Sequence, residues 1–182
     1  MIFETHAHYD DESFDGDREE TLARVRQSGV GPIINVGASL ASTRASLALA
    51  KAGDIYAAVG VHPSEIGCLD EEGFAWLKAQ TDNPKVAAVG EIGLDYHWDK
   101  EPGVQLLQRQ WFGRQLSLAK SVRLPVIIHS RDAAEDTMRI MRENHAEEIP
   151  GVIHCYSYSP ELAREFVGMG YRIGVGGVVT FR

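Results

Sequence analysis

The chain has 182 residues, 44% hydrophobic and 24% charged, which is ordinary composition for one globular domain able to bury its own core. A formal net charge of −8 argues against a broad basic surface gripping nucleic acid by counterion release, although a local site carrying cations can still take a phosphate. Cys68 and Cys155 are too few and too scattered for a disulfide framework or a thiolate metal cluster. The start is acidic and no apolar run is long enough to span a bilayer, so a cytoplasmic protein with no membrane partner is expected.

In chain order, short apolar or β-branched runs alternate with longer segments of helical spacing. The predicted strands cover residues 2–6, 32–36, 56–61, 86–90, 125–129, 151–155 and 172–175. The predicted helices cover 19–27, 42–52, 71–79, 104–121, 133–144 and 160–169. Asp70 and the pair Ser159 and Pro160 suit helix starts, and Gly53 and Gly170 suit helix ends. No linker or low-complexity tract interrupts the pattern, so a single domain over 1–182 is expected. Repeated βα units imply parallel pairing through right-handed crossovers, in either an open doubly wound sheet or a (β/α)8 barrel. A barrel gathers its active site at the carboxyl ends of all its strands, so those ends are the place to look for chemistry.

Five of the seven histidines fall at or just beyond such an end: His6 and His8 after the first strand, His62 after the third, His129 after the fifth and His154 after the sixth. Glu91 takes the same place after the fourth. His145 reads as an exposed helix-end residue, while His97 faces either the site or solvent. Each histidine alone is as easily a hydrogen-bonded strand-end residue as a ligand. Together, His6, His8, Glu91, His129 and His154 offer four imidazoles and a carboxylate at one barrel mouth, a set suited to Zn, Mn or similar divalent ions. Five ligands exceed what one tetrahedral ion with an open position accepts, so the count points to two ions bridged by Glu91. Ions about 3.5–4 Å apart serve phosphoryl transfer by stabilising the attacking and leaving oxygens.

The motifs "THAH" (residues 5–8), "GVHP" (60–63), "GEIGLDY" (90–96), "LPVIIHSRDA" (124–133) and "HCYS" (154–157) occur in one order along the chain, and with them the sequence resembles the TatD family of metal-dependent deoxyribonucleases. The resemblance implies an α/β, TIM-type (β/α)8 barrel of the metallohydrolase kind and hydrolysis of DNA phosphodiesters, often as an exonuclease. It implies that His6 and His8 hold one ion, that Glu91 is shared, and that His129 and His154 hold the other; Zn, Mn and Mg are all candidates. His62 resembles a substrate-facing group or a support behind the ligands. Arg131 and Asp132 lie close enough to His129 to act on a phosphate or to orient a ligand, with a salt-bridged helix start as the structural alternative. Trp98, Tyr96, Tyr156, Tyr158 and Arg131 are candidates to line the mouth.

Two departures from the family pattern stand out. Glu4 stands where the family usually has aspartate, and the family's last-strand aspartate, a ligand of the first ion, has no counterpart before Arg182. The expectation is therefore an incomplete barrel of about seven strands, truncated before the eighth, with the first ion weakly held. Rival readings are a barrel hydrolase acting on a small ester, lactone or amide, and a catalytically silent fragment. Relatives that bridge their metals through a carboxylated lysine need lysine at the end of strand four, and this chain has Glu91 there.

Overall fold

The structure is a computed structural model that describes residues 2–51 and 53–181. Seven strands, β1 (Ile2–Ala7), β2 (Val30–Val36), β3 (Ile55–Val59), β4 (Val86–Asp95), β5 (Val126–Arg131), β6 (Gly151–Ile153) and β7 (Arg172–Ile173), pair in strict chain order, every pair parallel. Helices α1 (Arg18–Gln27), α2 (Leu40–Leu49), α3 (Glu71–Gln80), α4 (Pro102–Val122), α5 (Ala134–Glu143) and α6 (Pro160–Gly168) form the connections. Parallel neighbours in sequence order, each reached by a crossover, curl the sheet one way, and the result is a TIM-like half-barrel with β1 and β7 as its edges.

Side-chain alternation divides the core into two sides of the sheet. Val36, Ala58, Ala88 and Ile127 meet one another on the inner side with no helical partner. On the outer side, Ile33, Ile55 and Ala57 pack with Leu22 of α1, Val59 with Leu77 and Trp111, and Val89, Ile92 and Leu94 with Phe112 and Leu116 of α4. In β4 the alternation is broken. Ala88 faces in and Val89 faces out, but Ile92 and Leu94 also face out, because the pairing with β5 slips between Val89 and Ile92. This irregularity re-aims Glu91, Gly93 and Asp95 to the inner side, the kind of use bulges find beside active sites.

The expected seven strands and six helices are all present, but several boundaries differ: β2 starts at Val30 instead of residue 32, and β3 ends at Val59 instead of residue 61. β4 continues to Asp95 instead of stopping at residue 90, so Glu91 lies within the strand. β5 runs on to Arg131, past His129. β6 stops at Ile153, two residues early, and Cys155 adopts a left-handed φ of 46° that no strand continues through. β7 is only two residues long, and residues 177–180 form a 3-10 turn. Asp70 and Ser159 cap α3 and α6 by accepting from the amides of Gly73 and Leu162. The second helix starts earlier than expected because Ser39 accepts from the Ser42 amide; its expected end, Ala52, lies outside the described residues.

Candidate metal centre

Glu91 is the hub of the site. Its buried carboxylate places Oε2 3.4 Å from His6 Nε2 and 3.9 Å from His8 Nε2, and Oε1 3.2 Å from His129 Nδ1. Each carboxylate oxygen thus faces imidazole nitrogen on a different side. Ligand atoms of His6, His8 and Glu91 all lie within 4.8 Å of one another, as do those of His62, Glu91 and His129.

The first-strand pair is arranged for coordination. His8 Nδ1 lies 2.9 Å from the carbonyl of Val36, a group that only accepts, so the proton sits on Nδ1 and Nε2 presents a lone pair. That lone pair is 3.0 Å from His6 Nε2, and His6 Nδ1 is buried without a hydrogen-bond partner among the described residues. Two imidazole nitrogens converging on one carboxylate, with a buried ring nitrogen left over, fit a shared divalent cation better than they fit hydrogen bonding alone. Glu4 accepts from the backbone amide of His6 at 3.1 Å, so it steadies the strand.

On the other side, His129 is held between two carboxylates, with Nε2 3.0 Å from Asp95 Oδ2. Burial works against the charge on Glu91, but hydrogen bonds from His129 and His6 outweigh it and hold the carboxyl well below its usual range. Burial likewise disfavours a charged His129, yet Glu91 and Asp95 prevail and raise its pKa. Two buried carboxylates facing one imidazole give this side of the cluster the negative charge that a divalent cation would complement.

His62 and His154 stay neutral. Burial pushes His62 down to about 4, and burial together with His6 does the same to His154. His62 Nδ1 accepts from the Ser64 amide at 3.2 Å, which puts the ring proton on Nε2 and makes that atom a donor. Its ring meets His129 edge to face, 4.3 Å between centroids. The ring thus stands among the possible ligand atoms around Glu91 and His129, with its Nε2 free to face the mouth. His154 stacks on His6 at 3.5 Å and 12°, and the ligand atoms that gather around Glu91 and His129 on this side include those of His62. β6 ends at Ile153, two residues before its expected end, so His154 lies just beyond the strand.

Asp95 is the residue that sequence reasoning passed over. Its Oδ2 meets His129, while Oδ1 accepts from the backbone amides of His97 and Trp98 at 2.9 and 3.0 Å. The signal was there, since Glu91, Gly93 and Asp95 are spaced by two, but it shows only once β4 is known to continue. The surrounding loops are fixed by two buried glutamines one heptad apart on α4. Gln115 brackets the Val61 amide and carbonyl beside His62, and Gln108 accepts from the Asp95 amide. Arg131 is exposed at the rim and Asp132 pairs with His97 at 3.0 Å instead of starting α5, settling His97 at the mouth. His145 is exposed, as expected. Cys155 turns away, its sulfur against Gly176.

The sequence matches the family model described as TatD related DNase over residues 3–182. The chain belongs to the TatD family. It is 44% identical over 183 residues to the uncharacterized metal-dependent hydrolase YabD of Bacillus subtilis, a match covering 100% of this chain and 71% of YabD. It is 33% identical over 168 residues to the 3'-5' ssDNA/RNA exonuclease TatD of Cronobacter turicensis, covering 91% of this chain and 63% of that relative. Among solved structures, the TatD homolog YjjV of Escherichia coli superposes with a TM-score of 0.90 at 36% identity, covering 99% of this chain and 70% of YjjV. This TatD chain is thus a member of a metal-dependent hydrolase family with a TIM-like fold. Among its described residues no helix is long and apolar enough to cross a membrane.

Proposed function

We propose that this chain hydrolyses phosphodiester bonds in DNA, trimming single strands, with two divalent ions of the Zn, Mn or Mg kind at the Glu91 centre. The observation that carries the reading is the division of Glu91: one oxygen faces His6 and His8, the other faces His129. The name of the Cronobacter relative, an exonuclease on single-stranded DNA and RNA, agrees with it.

In this reading His6 and His8 hold one ion, Glu91 is shared, and His129 holds the second with His154 beside the pair. When bound, the ions supply Lewis acidity at a scissile phosphate and acidify water near it. The protein's own groups do the rest. Val36 fixes the His8 tautomer, and Asp95 fixes the ring of His129, so neither ring has to reorient when substrate arrives. His62, neutral at pH 7 with its proton on Nε2, donates to a non-bridging phosphate oxygen. Arg131 at the rim offers a guanidinium to a neighbouring phosphate.

The test is turnover of an end-labelled single-stranded oligonucleotide by the Mn-loaded chain and by Glu91→Gln. A ladder of shortened products that falls at least about 100-fold in the variant is expected, since even ligands' supporting groups are worth 10- to 100-fold. Hydrolysis of p-nitrophenyl acetate with no cleavage of the oligonucleotide would overturn the nuclease reading in favour of a small-ester hydrolase.

A further inference from the structure

Four aromatic side chains surround the rim beyond the metal centre, and three are committed to the scaffold. The hydroxyl of Tyr96 donates to Asp136 at 2.6 Å, that of Tyr158 meets Ser130 and accepts from the Ala133 amide, and that of Tyr156 donates to the Ser159 carbonyl. Trp98 is not so used. It is 70% exposed, although an indole is costly to leave in water.

Its surroundings make it a built surface and not a stray one. The Arg131 guanidinium lies over the indole ring, 5.4 Å from its centroid, and the His97 ring meets it edge-on at 4.7 Å and 89°. The backbone amides of His97 and Trp98 are both held by Asp95, whose other oxygen contacts His129. The indole is therefore anchored through one carboxylate to a residue of the metal centre. Arg131 sits opposite Asp95 in the β4 to β5 pairing, two residues beyond His129 on the same side of its strand.

We propose that Trp98 is a stacking platform for an unpaired nucleobase of the substrate, with Arg131 swinging from its face to the adjoining phosphate. This rests on the phosphodiesterase reading of the Glu91 centre. A chain of net charge −8, with Asp99 and Asp132 flanking the rim, has no broad basic surface to hold phosphates away from the metal centre. Stacking is indifferent to that charge. It requires an accessible π-face, which selects single strands over duplex and tolerates any base.

The experiment compares an oligothymidylate with an abasic strand of the same length. Binding to the metal-loaded chain is read by anisotropy on phosphorothioate versions, and KM and kcat are read on ordinary ones, for wild type, Trp98→Ala and Trp98→Phe. Wild type is expected to prefer the base-bearing strand by about 5- to 150-fold. Trp98→Ala should erase that preference through KM while leaving the abasic strand unaffected, and Trp98→Phe should restore most of it. A preference unchanged in Trp98→Ala overturns the proposal, as does hydrolysis with no base preference, which leaves the phosphodiesterase reading intact. A Trp98-dependent preference without hydrolysis supports the platform and overturns the phosphodiesterase reading, and failure to bind either strand overturns both.

Discussion

Asp95 has two oxygens and uses each for a different purpose, one on the ring of His129 and one on the turn that carries Trp98. Carboxylates that orient a metal-binding imidazole typically contribute 10- to 100-fold to metal affinity. Asp95→Asn should therefore weaken binding of the second divalent ion by about 10- to 100-fold while leaving the ion on His6 and His8 nearly untouched. Calorimetric titration of the two sites reads this directly, and equal affinities in variant and wild type would remove Asp95 from the account. At this scale the sequence discloses residue types better than their aim. Clustering at strand ends singles out His6, His8, Glu91, His129 and His154 as candidates, and the structure gathers His6, His8, Glu91 and His129, together with His62, into possible ligand groups. Clustering could not show that Glu91 faces inward only because β4 slips against β5, nor that a Ser64 hydrogen bond makes His62 a donor. Those facts depend on pairing and tautomer, which leave no mark on composition or spacing.

The elements that carry these residues are tied together outside the sheet by α4. Its buried Gln108 and Gln115 reach the ends of β4 and β3, and its Arg109 joins Asp136 of α5 and the hydroxyl of Tyr96. Partial burial would raise the pKa of Asp136, but hydrogen bonds from Tyr96 and Arg139 and the charges of Arg139 and Arg109 outweigh it and lower it. A carboxyl depressed on folding contributes stability above its ordinary value of 3.8, and loses it as pH falls through the lower folded value. Asp136→Asn should cost about 1–2 kcal/mol at pH 7, allowing for its partly exposed ion pairs. The gap to wild type should close as pH drops below 3.8. Denaturant unfolding across that range checks it, and a gap that is constant with pH would contradict the assigned cause. Helix existence and most starts were legible, because Asp70 and Ser159 stand at N-caps before periodic runs. The strand ends were not, since β4 continues through two glycines, Gly90 and Gly93, that read as breakers. Gly93 serves instead for close approach: a Cβ there would lie 1.9 Å from the carbonyl oxygen of His129.

For the whole molecule, alternation of strand and helix from end to end was enough to read a parallel sheet, and the position of the histidines favoured a barrel mouth over a single switch point. The observed chain-order pairing and the YjjV superposition agree with that reading. The length of the last strand was misjudged because β7 pairs only through Arg172 and Ile173, after which glycines lead into a 3-10 turn. The two edges, β1 and β7, carry exposed apolar residues beside them, Ile2 and Phe3 on one and Val175 and Phe181 near the other. The fold thus brings every histidine of the candidate centre to one end of the sheet through β1, β3, β5 and β6, and Glu91 and Asp95 through β4. The central claim is that these groups form a divalent metal centre hinged on Glu91. Its most direct test is elemental analysis of the chain purified with excess Mn or Zn and then dialysed, beside Glu91→Gln treated alike. The account predicts two equivalents, or one firmly held, in wild type and a loss of metal in the variant. Equal metal in both, or none in a folded wild type, would contradict it.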